Sequence, residues 1–379
     1  MPLLKWVAYV LVAVVMGFYF NTAVYDFPAP EPFSGPNIHN PYAGLDTGHW
    51  KLGNFHAHAN VWHGLTQGTG SCAEVYHTYV DSLGYDAVGI SNYQSVDTSH
   101  KMDKGVTVYE HGYGLMKHHQ VVMGATEVSW LDYPCFQSVH HKQHVLNRLQ
   151  QSGDNPLVAI AHPKRGNAYS LRDMAQLSGY DCLEAVNHLS TSFKHWDAAL
   201  SAGHPVYLLA SDDAHDHHDP GKIGRCATML NLPVFSEEQV ISALREGRSY
   251  GVKIYQARPE NFGERRARLS TMARPLRVKV VDETLSVLFD QPFDTLKLVG
   301  QHGEHKKVVT HAWGTSYRFT EEDTYIRAVA FFNNPPQTLY FNPVFRYEDD
   351  PQAREVAVAN ALKTNLFRMA MLVAFAAFT

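Results

Sequence analysis

Two histidines separated by one residue, in the run NFHAHANVWHG, are the first feature of this sequence that bears on chemistry. In an extended segment His56 and His58 project to the same side, so both imidazoles aim at one point. Neutral imidazole is a good ligand for zinc, iron and manganese, which makes such a pair a candidate metal site. His63 follows in the adjoining loop and can fold back onto the pair. Three further apolar runs end in ligand-type side chains. GATEVSW presents Glu127, a carboxylate able to bridge two ions. AIAHPKRG presents His162, and LLASDDAHD presents Asp213 and His215, again separated by one residue. A strand-end glutamate, a satisfied histidine or a solvated loop would explain any one of them. Together they point to a site for more than one metal ion.

Such a site requires elements that deliver run ends to one place. From Lys51 to about Tyr255 short apolar runs (YDAVGIS, HQVVMGATEV, PLVAIAHP, DCLEAVN, PVYLLASDD) alternate with helical stretches such as SLRDMAQLSG and SEEQVISALREG. Uninterrupted apolar runs of this length read as buried parallel strands whose C-terminal ends carry the chemistry. The implied βα repeat predicts an α/β barrel or wound sheet over residues 51–260. From about Arg274 the pattern changes to period-two alternation (LRVKVVD, LSVLFDQ, SYRFTEE, TLYFNPVFRYE), which predicts a small all-β sandwich over 270–350.

Composition narrows the function class. The net charge of −5 leaves no basic footprint for nucleic acid. Of 23 histidines, 20 fall between His39 and His218, which concentrates them in one part of the chain. Cys72, Cys135, Cys182 and Cys226 lack CxxC spacing, so they are either disulfide partners or buried thiols rather than zinc ligands. Residues 1–25 contain the apolar run Trp6–Phe20, about 22 Å long as a helix. It reads as a membrane anchor in preference to a cleaved signal peptide, extended toward spanning length by Leu3, Leu4 and Asn21–Val24. The single lysine before it predicts that the rest is exported, to the periplasmic or extracellular side. The proline-rich segment 26–50 reads as a linker. Within the tail, 351–379, the apolar end MAMLVAFAAFT is too short to span a membrane alone; it either lies at an interface or docks on the protein.

The blocks HAHANVWHG, YDAVGISNYQSV, GATEV, IAHPKRG, ASDDAH and ALREGRSYGV, in this order, resemble those of the PHP (polymerase and histidinol phosphatase) family of metallo-phosphoesterases over roughly Lys51 to Val252. The resemblance implies a distorted (β/α)7 barrel holding two or three divalent ions (zinc, manganese or iron), with a metal-activated water attacking phosphorus. It places His56, His58, Glu127, His162, Asp213 and His215 on ligand positions. KQHVLNRL then supplies His144, with His141 in reserve and His140 as loop.

Two departures matter. His63 stands where the family has an aspartate, and Asn92-Tyr93 stands for its Asp-His. The change either reduces the metal count from three to two or gives Tyr93 a catalytic or ligand role, or His100, His118 or His119 substitutes, or the site is catalytically degenerate. Lys164 or Arg165 would neutralise a phosphate, while Glu184, Asn187 and His188 would surround the ligands or face substrate. His217 and His218 lie within reach of the site mouth. The expected function is hydrolysis of a small-molecule or lipid-linked phosphate ester at a membrane-tethered domain. The alternatives are a hydrolase for a non-phosphate ester or amide, and a metal-binding module without turnover.

Overall fold

The computed structural model describes residues 2–64, 68–96, 103–256 and 258–378. The chain opens with α1 (Pro2–Phe20), β1 (Tyr25–Asp26), β2 (Asn37–His39) and β3 (Trp50–Asn54). α2 (Cys72–His77) runs through a π-turn into β4 (Ala87–Val88), followed by β5 (Val108–His111) and β6 (Gln120–Met123). Next come α3 (Val139–Leu149), β7 (Leu157–Ile160), α4 (Leu171–Gln176), β8 (Cys182–Asn187), α5 (Phe193–Ser201) and β9 (Tyr207–Ser211). β10 (Cys226–Asn231), α6 (Glu237–Arg245), β11 (Ser249–Ile254) and α7 (Phe262–Ser270) complete the first part. The remainder is β12 (Pro275–Val281), β13 (Thr284–Val299), β14 (His305–Arg318), β15 (Tyr325–Asn333), β16 (Pro336–Phe341), β17 (Val344–Tyr347), β18 (Val358–Ala359) and α8 (Ala361–Phe378).

These strands do not form the expected (β/α)7 barrel. Strand exceeds helix, 30% against 27%, and among the described residues no sheet closes. One sheet has five strands in the order β5-β6-β7-β8-β9; the other has eleven, along the path β12-β13-β15-β16-β11-β10-β3-β4, with β14, β17 and β2 attached at its side. The parallel repeat fails at identifiable places. β5 and β6 are joined by a short return, so β6 runs antiparallel to both β5 and β7. β10 runs antiparallel to β3 and β11. Among the described strands, β7-β8-β9 and the short β3–β4 pair keep the parallel arrangement. There, runs such as LVAI in β7 and YLLAS in β9 are buried at every residue, as expected for strands covered on both faces.

Nor do the C-terminal strands fold into a separate sandwich. β16 pairs with β11, Tyr250 opposite Phe341, which makes β12–β16 an extension of the sheet that carries β3. One apolar core accordingly runs from Tyr79 and Val252 to Phe289 and Phe341. The segment read as a linker is also tied in: β2 pairs with β17, and the Tyr42 hydroxyl donates to the Ser249 carbonyl at 2.8 Å.

Among the described residues no helix is long and apolar enough to cross a membrane, which overturns the expected anchor at Trp6–Phe20 and the membrane-tethered placement built on it. The C-terminal tail forms α8, where Arg368 Nε donates to the Phe20 carbonyl at 3.1 Å. β1 pairs with β18 beside this junction. Cys135, Cys182 and Cys226 are free thiols, the last two buried, while Cys72 Sγ accepts from Asn92 Nδ2 at 3.2 Å.

The reserve ligand His141 has a structural task. It occupies the third position of α3, where its Nδ1 accepts the Ser138 N–H at 2.9 Å while the Ser138 side chain completes a reciprocal cap. Burial pushes the His141 imidazole down to about 4. An unfolded histidine titrates near 6.5, so the unfolded chain takes up this proton first, and the cap's contribution is lost as pH falls from about 6.5 toward 4. His141→Gln, whose amide can accept the same N–H without titrating, should lose less of its thermal midpoint over that interval than the parent protein. Parallel midpoint-against-pH curves would contradict this.

Candidate metal centre

The segments that follow β3 and β9 come together as neighbours. The His58 N–H donates to the Ala214 carbonyl at 2.8 Å and the Asp213 N–H to the His56 carbonyl at 2.9 Å, around a parallel bridge between Ala57 and Ala214. This register sets the His-x-His pair against Asp213. On the other flank, a parallel bridge between Tyr93 and Glu110 brings the end of β5 to the same place. His162 follows β7 with φ of 27°, and Asp213 has φ of 53°. Such left-handed backbone is uncommon for non-glycine residues and costs on the order of 1–3 kcal/mol. Here it turns two ligand-type side chains inward.

The result is a buried cluster of His56, His58, Glu110, His162 and Asp213 that could hold a metal ion. Glu110 Oε2 lies 3.3 Å from His56 Nε2 and 3.2 Å from His58 Nε2. Asp213 Oδ1 stands 3.3 and 3.4 Å from the same two nitrogens. The other oxygen of Glu110, Oε1, faces His119 Nδ1 at 2.7 Å and His162 Nε2 at 3.2 Å. Glu110 is thus divided between two pairs of imidazoles, as a bridging carboxylate would be.

The hydrogen-bond pattern tests whether a metal fits. His56 Nε2, His58 Nε2, Glu110 Oε2 and Asp213 Oδ1 are all buried without a hydrogen-bond partner. Leaving such atoms unsatisfied costs about 1–3 kcal/mol each, and more when charged. Their spacing is that of ligand atoms: around a tetrahedral ion with bonds of about 2.1 Å, neighbouring donors stand about 3.4 Å apart. The donor chemistry, imidazole nitrogen with carboxylate oxygen, suits zinc, manganese or iron.

Surrounding groups hold the donors in place. His56 Nδ1 lies 3.0 Å from Glu184 Oε1, which leaves Nε2 free to face the cluster. Glu184 Oε2 accepts from the His162 N–H at 2.9 Å and from Asn187 Nδ2 at 3.2 Å. Arg165 Nη1 donates to Asp213 Oδ2 at 2.7 Å while its side chain remains 35% exposed, so one cation reaches from solvent into the site. The Tyr93 ring stacks on His58, with centroids 4.5 Å apart. Burial raises its phenol well above the ordinary range, with Glu110 and Asp213 adding to the effect. Burial alone would push the Glu110 carboxyl up, but the His119 and His56 imidazoles outweigh it and hold it well below the carboxylate range. Asp213 is likewise lowered against its burial, by His56 and His58.

Of the residues expected from sequence, His56, His58, His162 and Asp213 meet in the cluster, and the His215 ring packs at a tilt against His58 at its edge with centroids 4.3 Å apart. Three expected ligands do not. Glu127 is exposed in the turn after β6, because antiparallel β6 points its C-terminal end away from the site. His144 lies on α3, where its Nδ1 meets the Tyr133 hydroxyl at 2.7 Å. His63 is exposed on a turn. Lys164 is exposed too. Asn92 supports the site from behind, its Oδ1 accepting the Ala59 N–H at 2.8 Å. His188 packs against the Asp212 carbonyl, His118 against the Tyr169 ring, and His217 Nδ1 donates to the Thr69 carbonyl at 3.0 Å. His100 lies outside the described residues. The residue that the motif reading missed is Glu110; His119, named there only as a possible substitute, faces it. The run VTVYEHG ends in Glu-His like the other strand ends, and that was the available signal. Comparison with protein-family models, curated proteins and solved structures returns no match.

Glu110→Gln should sharply weaken zinc or manganese uptake in a dialysis and elemental analysis, whereas Glu127→Gln should bind as the parent does. Glu184→Gln, which touches the ligands only through His56 and His162, should cost about 10–100-fold in metal affinity. Equal affinity in the Glu110 and Glu127 variants would refute this assignment.

Proposed function

We propose that this protein is a metal-dependent hydrolase of phosphate esters, of PHP type in its metal-binding chemistry. The observation that carries the reading is Arg165, a partly exposed guanidinium bonded to Asp213 at the edge of a buried cluster of metal-ligand type. A cation at that position favours an anionic substrate, and its planar fork matches phosphate oxygens in pairs. The His-x-His and Asp-x-His blocks that resemble the family also meet in space, which supports the same reading.

His56, His58 and Asp213 would hold one ion; the single lone pair of His56 Nε2 serves that ion alone, so Glu110 and His162 would be the groups left to hold a second. Divalent ions bound there supply Lewis acidity toward the phosphoryl oxygens and lower the pKa of water. Glu184 keeps the His56 ring oriented. Arg165 turns its exposed edge to the phosphate, and Tyr93, a neutral phenol beside His58, offers a hydrogen bond to an oxygen that gains charge in the reaction.

Metal-loaded protein should hydrolyse 4-nitrophenyl phosphate in a panel that also contains carboxylic esters and amides. Asp213→Asn should reduce turnover by at least about 100-fold, and Arg165→Ala should lower kcat/KM for the phosphate ester by about 10–100-fold, the worth of a charge-assisted hydrogen bond. Turnover of amides or carboxylic esters alone, or metal binding without turnover of any member, would refute the proposal.

A further inference from the structure

Two tryptophans stand exposed beside the cluster, and neither is needed to bury the core. Trp62 is 46% and Trp130 is 58% exposed, yet their rings meet edge to face with centroids 6.3 Å apart. Trp62 is linked to the site directly: its indole N–H donates at 2.8 Å to the carbonyl of Tyr93, whose ring lies on His58. Trp62 also has φ of 55°, followed by His63 at 53°. A bulky residue in the left-handed region is a true outlier, and here no burial of the side chain offsets the cost.

Trp130 is held as firmly. The backbone at Ser129 accepts from Gln94 Nε2 at 2.9 Å and donates to the Tyr109 hydroxyl at 3.1 Å. The Trp130 carbonyl accepts the Tyr113 hydroxyl at 3.0 Å. Gln94 adjoins Tyr93 in sequence, so both indoles are referenced to the same short segment at the site edge. With the Trp62 N–H already engaged, the pair presents mostly apolar ring surface.

We infer that Trp62 and Trp130 form an aromatic clamp beside the metal centre for a flat aromatic ring carried by the substrate next to its reacting group. The inference rests on the hydrolase reading for its location and names the class of ester: an aryl or nucleobase-like leaving group rather than a small aliphatic one. Stacking on preset indoles explains why large apolar side chains are kept in water, under strain, at this place. A ring stacked on an aromatic side chain contributes about 1–3 kcal/mol, or roughly 5- to 150-fold in affinity.

The test compares unreactive ligands with and without a ring on two headgroups: 1-naphthylmethylphosphonate against methylphosphonate, and 1-naphthylacetate against acetate. Binding to the metal-loaded full chain is read by calorimetry. The parent protein should prefer the ring-bearing member of a pair by tenfold or more. Trp130→Ala and Trp62→Ala should bring that ratio toward one, while Trp313→Ala, an exposed tryptophan on β14, should leave it as it is. No ring preference in the parent for either pair, or one that survives both clamp substitutions, would overturn the clamp. Ring preference confined to the carboxylates, with no phosphonate bound, would uphold the clamp and sink the phosphate reading instead.

Discussion

Glu110 is a carboxylate without access to water, set among imidazoles that approach it without satisfying all of its lone pairs. An anion in that position is stable only with positive charge close by, and burying it unpaired would cost several kcal/mol. His56, His58, His119 and His162 can each supply a proton or, when neutral, a lone pair. A divalent cation would satisfy the unpaired atoms at once, replacing mutually unsatisfied donors and acceptors with bonds to a common centre. Much of the local architecture follows from that demand. β3 and β4 from one sheet must end where β5, β7 and β9 of the other end. The short bridges Ala57–Ala214 and Tyr93–Glu110 serve to bring those ends into register. Backbone strain at His162 and Asp213 is the local cost of aiming the side chains inward.

How far the sequence discloses this centre depends on chain direction. His56 and His58 lie just after β3, His162 just after β7 and Asp213 just after β9, so a rule that looks for polar residues behind apolar runs finds them all. The same rule selects Glu127, since it follows an equally apolar run. It fails there because β6 is antiparallel: the residue before the strand, His119, points into the site, and Glu127 after it is exposed away from it. Strand direction is decided by tertiary pairing and leaves no trace in a buried run such as QVVM. His144 was misplaced for another reason. Its spacing suits a family block, but α3 turns it toward Tyr133 and the N-terminal segment.

The architecture was legible to a similar degree. Apolar runs such as PLVAIAHP and PVYLLASDD, and helical stretches such as SLRDMAQLSG and SEEQVISALREG, mark real elements. The barrel expected from them is absent because β10 and β6 reverse direction. The change to alternating strands near Arg274 is also real. It reads as a domain boundary only until β16 is seen to pair with β11, a contact that period-two alternation cannot announce. Asp197 reinforces the joint, where its two carboxylate oxygens take Nε and Nη2 of Arg327 on β15 at 2.8 Å each.

The small sheet formed by β1 and β18 has a bearing on how the molecule is made. Asn360 Nδ2 donates to Asp26 Oδ2 across a sequence separation of 334 residues, and the strand pair lies beside it. During synthesis from the ribosome, the residues around Tyr25 wait for nearly the whole described chain before their partner emerges. β3 likewise waits for β10, against which its backbone is paired. Assembly can therefore not proceed as a simple N-to-C succession of finished modules. The early strands must stay available, and shielded from other edges, until β18 has emerged.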